Sequence, residues 1–367
     1  MTNKERFDQS LKRIIGAVNF ENIDRAPVVL GGLSAPMLHV GGSFAPMMEK
    51  PLYQTECLIK TYQEIGLPDG IQNPSFNPHL LSTIWLSKVK VPGIDIPHNE
   101  IWQVDEQELM TVDDYKDIID NGFNQWYNNF LVERLDNLPA KLVSFYENFP
   151  TTIQMVADAG IVPFSPVIFT VPYEYFCGGR TMVKFARDLY KHYDLVKEAM
   201  DVALPDIQQN IKNIIHGSGL IAVWLGGWRT ASEFIAPRFW DTLVYPYYKA
   251  LTETVLAEGV IPVFHLDSCW DRDVSAFLDM PKGCVFSPDG KTDIFRAKKI
   301  LDGHMGIMGD VPASMLSIGT PAEVKEYCNR LLDELGPKGF ILAQGCDIPP
   351  NAKMENIAAM IETAMAR

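Results

Sequence analysis

No run of about eighteen consecutive apolar residues occurs in the chain, which argues against a membrane-spanning helix. Positive charge is also in short supply. Thirty-two lysines and arginines face 46 acidic residues, giving a formal net charge of -14. A surface of that sign repels phosphate backbones, so nucleic acid is not an expected partner. The opening segment, Met1-Thr2-Asn3-Lys4-Glu5-Arg6, lacks the apolar stretch of a signal peptide, so a cytoplasmic protein is expected. Internal repeats and low-complexity tracts are absent. Cysteine is sparse: Cys57, Cys177, Cys269, Cys284, Cys328 and Cys346 are the only six. In a reducing compartment these are free thiols or metal ligands rather than a disulfide framework.

What is present is a long, ordinary globular composition with an alternating pattern. At 367 residues the chain exceeds the usual single core, and barrels are the folds that reach such lengths as one domain. Phe7, Leu11, Ile14, Ile15 and Val18 recur at helical spacing and predict an opening helix. Val28 to Gly32 is a short apolar run closed by glycines, and reads as a first strand. Residues 33–50, rich in Gly, Pro, Ser and Met, read as a mobile loop. A β-excursion is expected over 88–104, around Pro92-Gly93 and Ile96-Pro97. Helix is expected over 113–148, with Trp126, Tyr127 and Phe130 on one face. Val162–Phe169 reads as a strand, 187–215 as one long helix, and 220–225 as a third strand.

The C-terminal part is the most regular. Strands are expected at 259–265, 283–286, 305–309 and 339–343, with a helix between each neighbouring pair. One of these helices begins with a capping box, Thr320 at the N-cap, Pro321 at N1 and Glu323 at N3. Short apolar strands alternating with helices imply a parallel sheet covered on both faces. The expectation is one α/β domain over 1–367, a (β/α)8 TIM barrel with an N-terminal helical and β excursion.

In such a barrel the chemistry sits at the C-terminal ends of the strands. The strand ending at Phe264 delivers His265, Asp267 and Cys269. The next delivers Asp289, the next Asp310, and the last delivers Gln344, Cys346 and Asp347. Packing does not require His, Asp and Cys on one rim. Zinc accepts imidazole nitrogen, thiolate sulfur and carboxylate oxygen, and a catalytic site keeps a fourth position open. His265, Asp267 and Cys346 would make a near-neutral site. His265 and Asp267, two apart at a strand end, can face one side. Whether Asp267, Cys269 or another acid is the third ligand stays open.

The run GDVPASMLSIGTPAEVKEYCNRLLDELGPKGFILAQGCDIPPNAKMENIAAMIETA closely resembles the uroporphyrinogen-decarboxylase-like family. The opening RIIGAVNFENIDRAPVV is similar to that family's start. The resemblance spans nearly the whole chain, is strongest from residue 217 onward, and implies the barrel independently. True decarboxylases of the family use arginines of an N-terminal segment against a many-carboxylate porphyrinogen. Here no arginine lies between Arg25 and Arg134, and the segment GGLSAPMLHVGG offers nothing to pair with carboxylates. The other branch, corrinoid-dependent methyltransferases, carries a zinc motif of His-x-Cys and a later Cys. His265 and Cys346 match its first and last ligands. Asp267 stands where thiol-activating members have cysteine, and HLDSCW resembles members that demethylate methoxylated aromatics.

The resemblance therefore implies a zinc enzyme that passes a methyl group from a methoxylated aromatic, or a similar methylated small molecule, to a corrinoid (cobalamin) held by a partner protein. Transfer from a methylated corrinoid to a thiol is the alternative, and a decarboxylase or a non-catalytic tetrapyrrole-binding barrel stands behind both. Homodimerisation is left open. An aryl ether needs an apolar pocket, for which Tyr173, Trp228, Trp240 and Trp270 are the chosen aromatics. Met37, Met47 and Met48 are candidates for a deformable mouth. Asp289 and Asp310 are the candidate catalytic acids, placed to hold a substrate hydroxyl or the corrinoid's amides.

Overall fold

The computed structural model describes residues 1–367. Eleven strands are formed: β1 (Val29–Leu30), β2 (Gly70–Ile71), β3 (Lys88–Lys90), β4 (Gln103–Asp105), β5 (Val162–Pro163), β6 (Ile168–Thr170), β7 (Ala222–Gly227), β8 (Ile261–Leu266), β9 (Val285–Pro288), β10 (Gly306–Val311) and β11 (Phe340–Gln344). Parallel pairing runs β1-β2-β5 in one sheet and β6-β7-β8-β9-β10-β11 in another. Val28 bridges Leu342 in parallel, which joins the first strand to the last. β5 and β6 are two halves of one extended run, broken where Pro166 removes a backbone donor. Counted as one, they complete an eight-membered parallel ring, the (β/α)8 barrel.

The ring is filled by inward residues taken at every second position. Val263 of β8, Val285 of β9, Met308 of β10, and Ile341 and Ala343 of β11 pack in one inner cluster. Ile14, Ala17 and Val18 of the helix Asn3–Val18 join that cluster and close one end of the barrel. Chemistry is therefore confined to the other end, where the strands finish. No helix is long and apolar enough to cross a membrane.

Several expectations hold locally. β3 and β4 form the antiparallel excursion. The capping box at Thr320 is formed, with Glu323 accepting from the Thr320 amide at 2.8 Å, an arrangement that contributes about 1 kcal/mol. Others are corrected. β2 was not expected. Residues 33–50 are not a loose loop, because they contain the helix Ser34–His39 and the 3-10 turn Ala45–Met48. Met37 and Met47 are buried there and Met48 half-buried, so they fill core rather than a mouth. The helix expected over 187–215 is two, Met182–Lys191 and Tyr193–Ile215. That over 113–148 is three, Val112–Asn121, Phe123–Glu133 and Leu138–Asp158. Between β8 and β9 there is only a 3-10 segment, Val274–Asp279.

Candidate metal centre at the barrel mouth

β8 carries His265 inward, in register with Gly226 of β7 and Ser287 of β9. Two residues on, Asp267 faces the same side. Cys346 arrives from the segment after β11. The three donor atoms converge. Asp267 Oδ1 is 3.4 Å from His265 Nε2, and Cys346 Sγ is 4.0 Å from His265 Nε2 and 3.9 Å from Asp267 Oδ1. They form the one His/Cys/acid group with metal-ligand spacing in the chain. Donors bound to one tetrahedral zinc lie roughly 3.3–3.6 Å apart, so the triangle is wide by only a few tenths of an ångström. Cys269 is not part of the group. Its amide donates to Glu233, and its side chain sits on the loop.

The electrostatics also call for a cation. Burial by itself would lower the His265 pKa, but the hydrogen bonds to Asp267 and Cys346 raise it to about 10. Burial pushes the Cys346 thiol up, and the neighbouring imidazole pulls it back down. Two acidic donors facing one buried imidazole thus retain a proton there when no other positive charge is present. A divalent cation satisfies all three. His265 is 3% exposed, whereas the Asp267 side chain is 31% exposed, so the group is reached from the mouth and sealed from behind. Asp347 lies beside it, exposed to solvent.

The walls of the site hold the ligands in place. Trp224, two residues before Gly226, stacks on the His265 ring with centroids 4.1 Å apart and planes 18° apart. Its indole N–H donates to Ser165 Oγ at 2.8 Å, which fixes the stacking face. His265 Nδ1 and Ser287 Oγ, on adjacent strands in register, are both buried without a hydrogen-bond partner. The loop carrying Asp267 turns at Ser268, whose φ of 71° is left-handed. Asp289 secures that turn: Ser268 N donates to one carboxylate oxygen at 2.8 Å and Lys291 N to the other at 2.9 Å. Burial raises the Asp289 carboxyl, and these amides partly offset it.

The remaining expected residues are dispersed. Asp310 is buried, accepts from Tyr327 Oη at 2.7 Å, and is raised to about 7 by desolvation. Trp270 is fully buried, and its indole donates to the Asp267 carbonyl at 2.8 Å, so it supports the ligand loop from outside. Trp240 packs against Tyr245 and Trp270, and Tyr173 packs edge-on to Phe185, both buried. Only Trp228 of the four aromatics stands at the mouth. Its ring covers the inner face of Gly226, where a Cβ would collide with it. It meets Trp85 edge-on at 5.1 Å. Trp85 is held there because Gly178, lacking a Cβ, lets its carbonyl come close.

Residues that sequence reasoning missed include Trp224, Ser287 and Gln72, whose Oε1 is also buried without a partner. Glu174 was missed too. It is fully buried and accepts from the amides of Trp228, Arg229 and Thr230. The signal for Trp224 and Ser287 was the two-residue period, which puts them on the inward face beside His265.

The family model for uroporphyrinogen decarboxylase (URO-D) matches residues 135–367. Among solved structures, a methyltransferase from Methanosarcina mazei superposes with a TM-score of 0.72 and 15% sequence identity. The match covers 97% of this chain and 98% of that one. At that identity the likeness carries the barrel fold and not the reaction. No curated protein sequence matches the chain.

Proposed function

The chain belongs to the uroporphyrinogen decarboxylase family, and from that premise we propose that it is a zinc-dependent methyltransferase moving a methyl group from a methoxylated aromatic to the cob(I)amide of a corrinoid protein. The observation that carries this reading is the triangle of His265, Asp267 and Cys346 at the open end of the barrel. A zinc ion held by these three would act as a Lewis acid toward the ether oxygen and favour the departing phenolate. A carboxylate in place of a second thiolate makes a harder site, which suits oxygen better than sulfur.

The chain's own residues supply position and shelter. Trp228 and Trp85 give the mouth an aromatic wall against which a substrate ring can stack. Asp289 is a positioning residue, holding the turn that presents Asp267. The methyl carbon–oxygen bond would break with both electrons left on oxygen, and a reduced corrinoid on a partner protein would serve as the methyl acceptor, bringing the electron pair of the new bond. The phenolate then takes a proton from solvent.

Three arginines precede the arginine-free stretch, and their placement supports the departure from decarboxylation: Arg6 donates to the Leu67 and Pro68 carbonyls beside Asp69. Arg13 and Arg25 both bind Asp69, at 2.6 and 2.7 Å, at the end closed by the N-terminal helix. They do not face the mouth, where a porphyrinogen's carboxylates would have to be met. The test is anaerobic spectroscopy. The zinc-loaded enzyme, a corrinoid protein in the cob(I) state and a panel of methoxyphenols should yield methyl-cob(III)amide and free phenol. Transfer from methyl-cob(III)amide to a thiol, with no activity on any ether, would instead favour thiol methylation. Loss of carboxyl groups from a porphyrinogen would overturn the proposal.

A further inference from the structure

We propose that the protein has a second ligand site, separate from the metal centre, for an uncharged and largely apolar small molecule. The site is a cavity of about 730 Å³ behind the barrel wall at β6. The helices Leu138–Asp158 and Tyr193–Ile215 form its sides, and the helix Phe123–Glu133 covers it. Its volume lies within the range of small-molecule sites.

The lining defines the chemistry. Leu142, Phe169 and Ile211 supply apolar wall, and Tyr127 and Tyr175 supply aromatic faces. None of the 28 lining residues carries a formal charge, although 21% of the chain does. A charged ligand would lose its water there and find no counter-ion. The polar groups are neutral, asparagines above all. One of them is uncommitted: Asn73 Oδ1 is buried and has no hydrogen-bond partner. It offers an acceptor to a ligand N–H or O–H, which would remove the penalty of an unmade bond. Protein interiors rarely keep so large an apolar hollow among well-packed helices without use for it. Tyr146 and Ile214, both lining and about half exposed, mark the entrance.

The site is distinct from the metal centre: its lining contains none of His265, Asp267, Cys346, Trp224 or Ser287.

The test uses N-phenyl-1-naphthylamine, an uncharged aromatic amine that brightens in apolar surroundings, and its sulfonated relative 8-anilinonaphthalene-1-sulfonate. The wild type should bind one neutral probe per chain, and the anionic probe roughly tenfold or more weakly. Ile211→Trp, which fills the cavity, should abolish binding, and the milder Leu142→Phe should weaken it, each with unchanged circular dichroism. Cys346→Ala should leave it unaltered. Equal affinity for the two probes, binding that survives in folded Ile211→Trp and Leu142→Phe, or binding lost in Cys346→Ala would overturn the proposal. So would a probe signal that follows self-association of the chain.

Discussion

The imidazole of His265 lies flat against the indole of Trp224, centroids 4.1 Å apart, so a residue that makes no bond to a metal sets the orientation of one that would. Removing the indole leaves the imidazole free to rotate. Trp224→Leu should lower zinc affinity about tenfold, the scale of outer-shell effects on metal ligands. Competition against a chromophoric chelator measures it. An unchanged affinity would mean that the strand alone orients His265.

Asp289 is expected to act through the loop and not through substrate. Asp289→Ala leaves the amides of Ser268 and Lys291 without acceptors, at a cost of about 1 kcal/mol at the part-buried Ser268 amide and less at Lys291, which water can reach. Zinc occupancy should fall although no ligand is altered, and Asp289→Asn, which keeps an acceptor oxygen, should recover part of it. Elemental analysis after dialysis distinguishes the variants. Equal loss in both would point to the charge of Asp289 rather than its hydrogen bonds.

Asp310 makes a pH-dependent contribution whose sign is fixed by its burial. Its folded pKa, about 7, lies above the ordinary carboxyl value. The folded protein therefore holds this proton more tightly than the unfolded chain does. Stability from this group is fully present below the unfolded pKa and is lost as pH rises through about 7. Asp310→Asn should accordingly raise Tm at about pH 8, by an amount corresponding to a few kcal/mol, and have little effect near about pH 4. Differential scanning calorimetry at the two pH values checks it. A gain confined to acid would reverse the assignment.

Much of this was legible in the residues, and the rest was lost for physical reasons. His265 and Asp267 stand two apart at a strand end, a period that places both on one face. Cys346 was placed by the last strand and by family resemblance. β2 was invisible because Gly70–Ile71 has no apolar run of its own and is stabilised by pairing with β1 and β5. Trp224 looked like any core residue, since nothing local marks the ring it stacks on. Trp270 lies close in sequence to a strand end, but the turn at Ser268 leads the chain away from the mouth and buries it outside the barrel, where Trp240 of the helix Pro237–Leu243 packs against it. The 33–50 segment reads as a loop by composition, yet Met37 and Met47 find core to fill.

The central claim is that one metal ion is held by His265, Asp267 and Cys346. Zinc K-edge X-ray absorption on the purified enzyme tests it most directly. The account predicts about one zinc per chain with a single sulfur neighbour near about 2.3 Å and the remaining neighbours nitrogen or oxygen. The sulfur shell should vanish in Cys346→Ser and persist in Cys269→Ser. Two sulfur neighbours, or a sulfur shell that disappears with Cys269, would contradict the ligand set. A wild type that is fully active without metal would contradict the account itself.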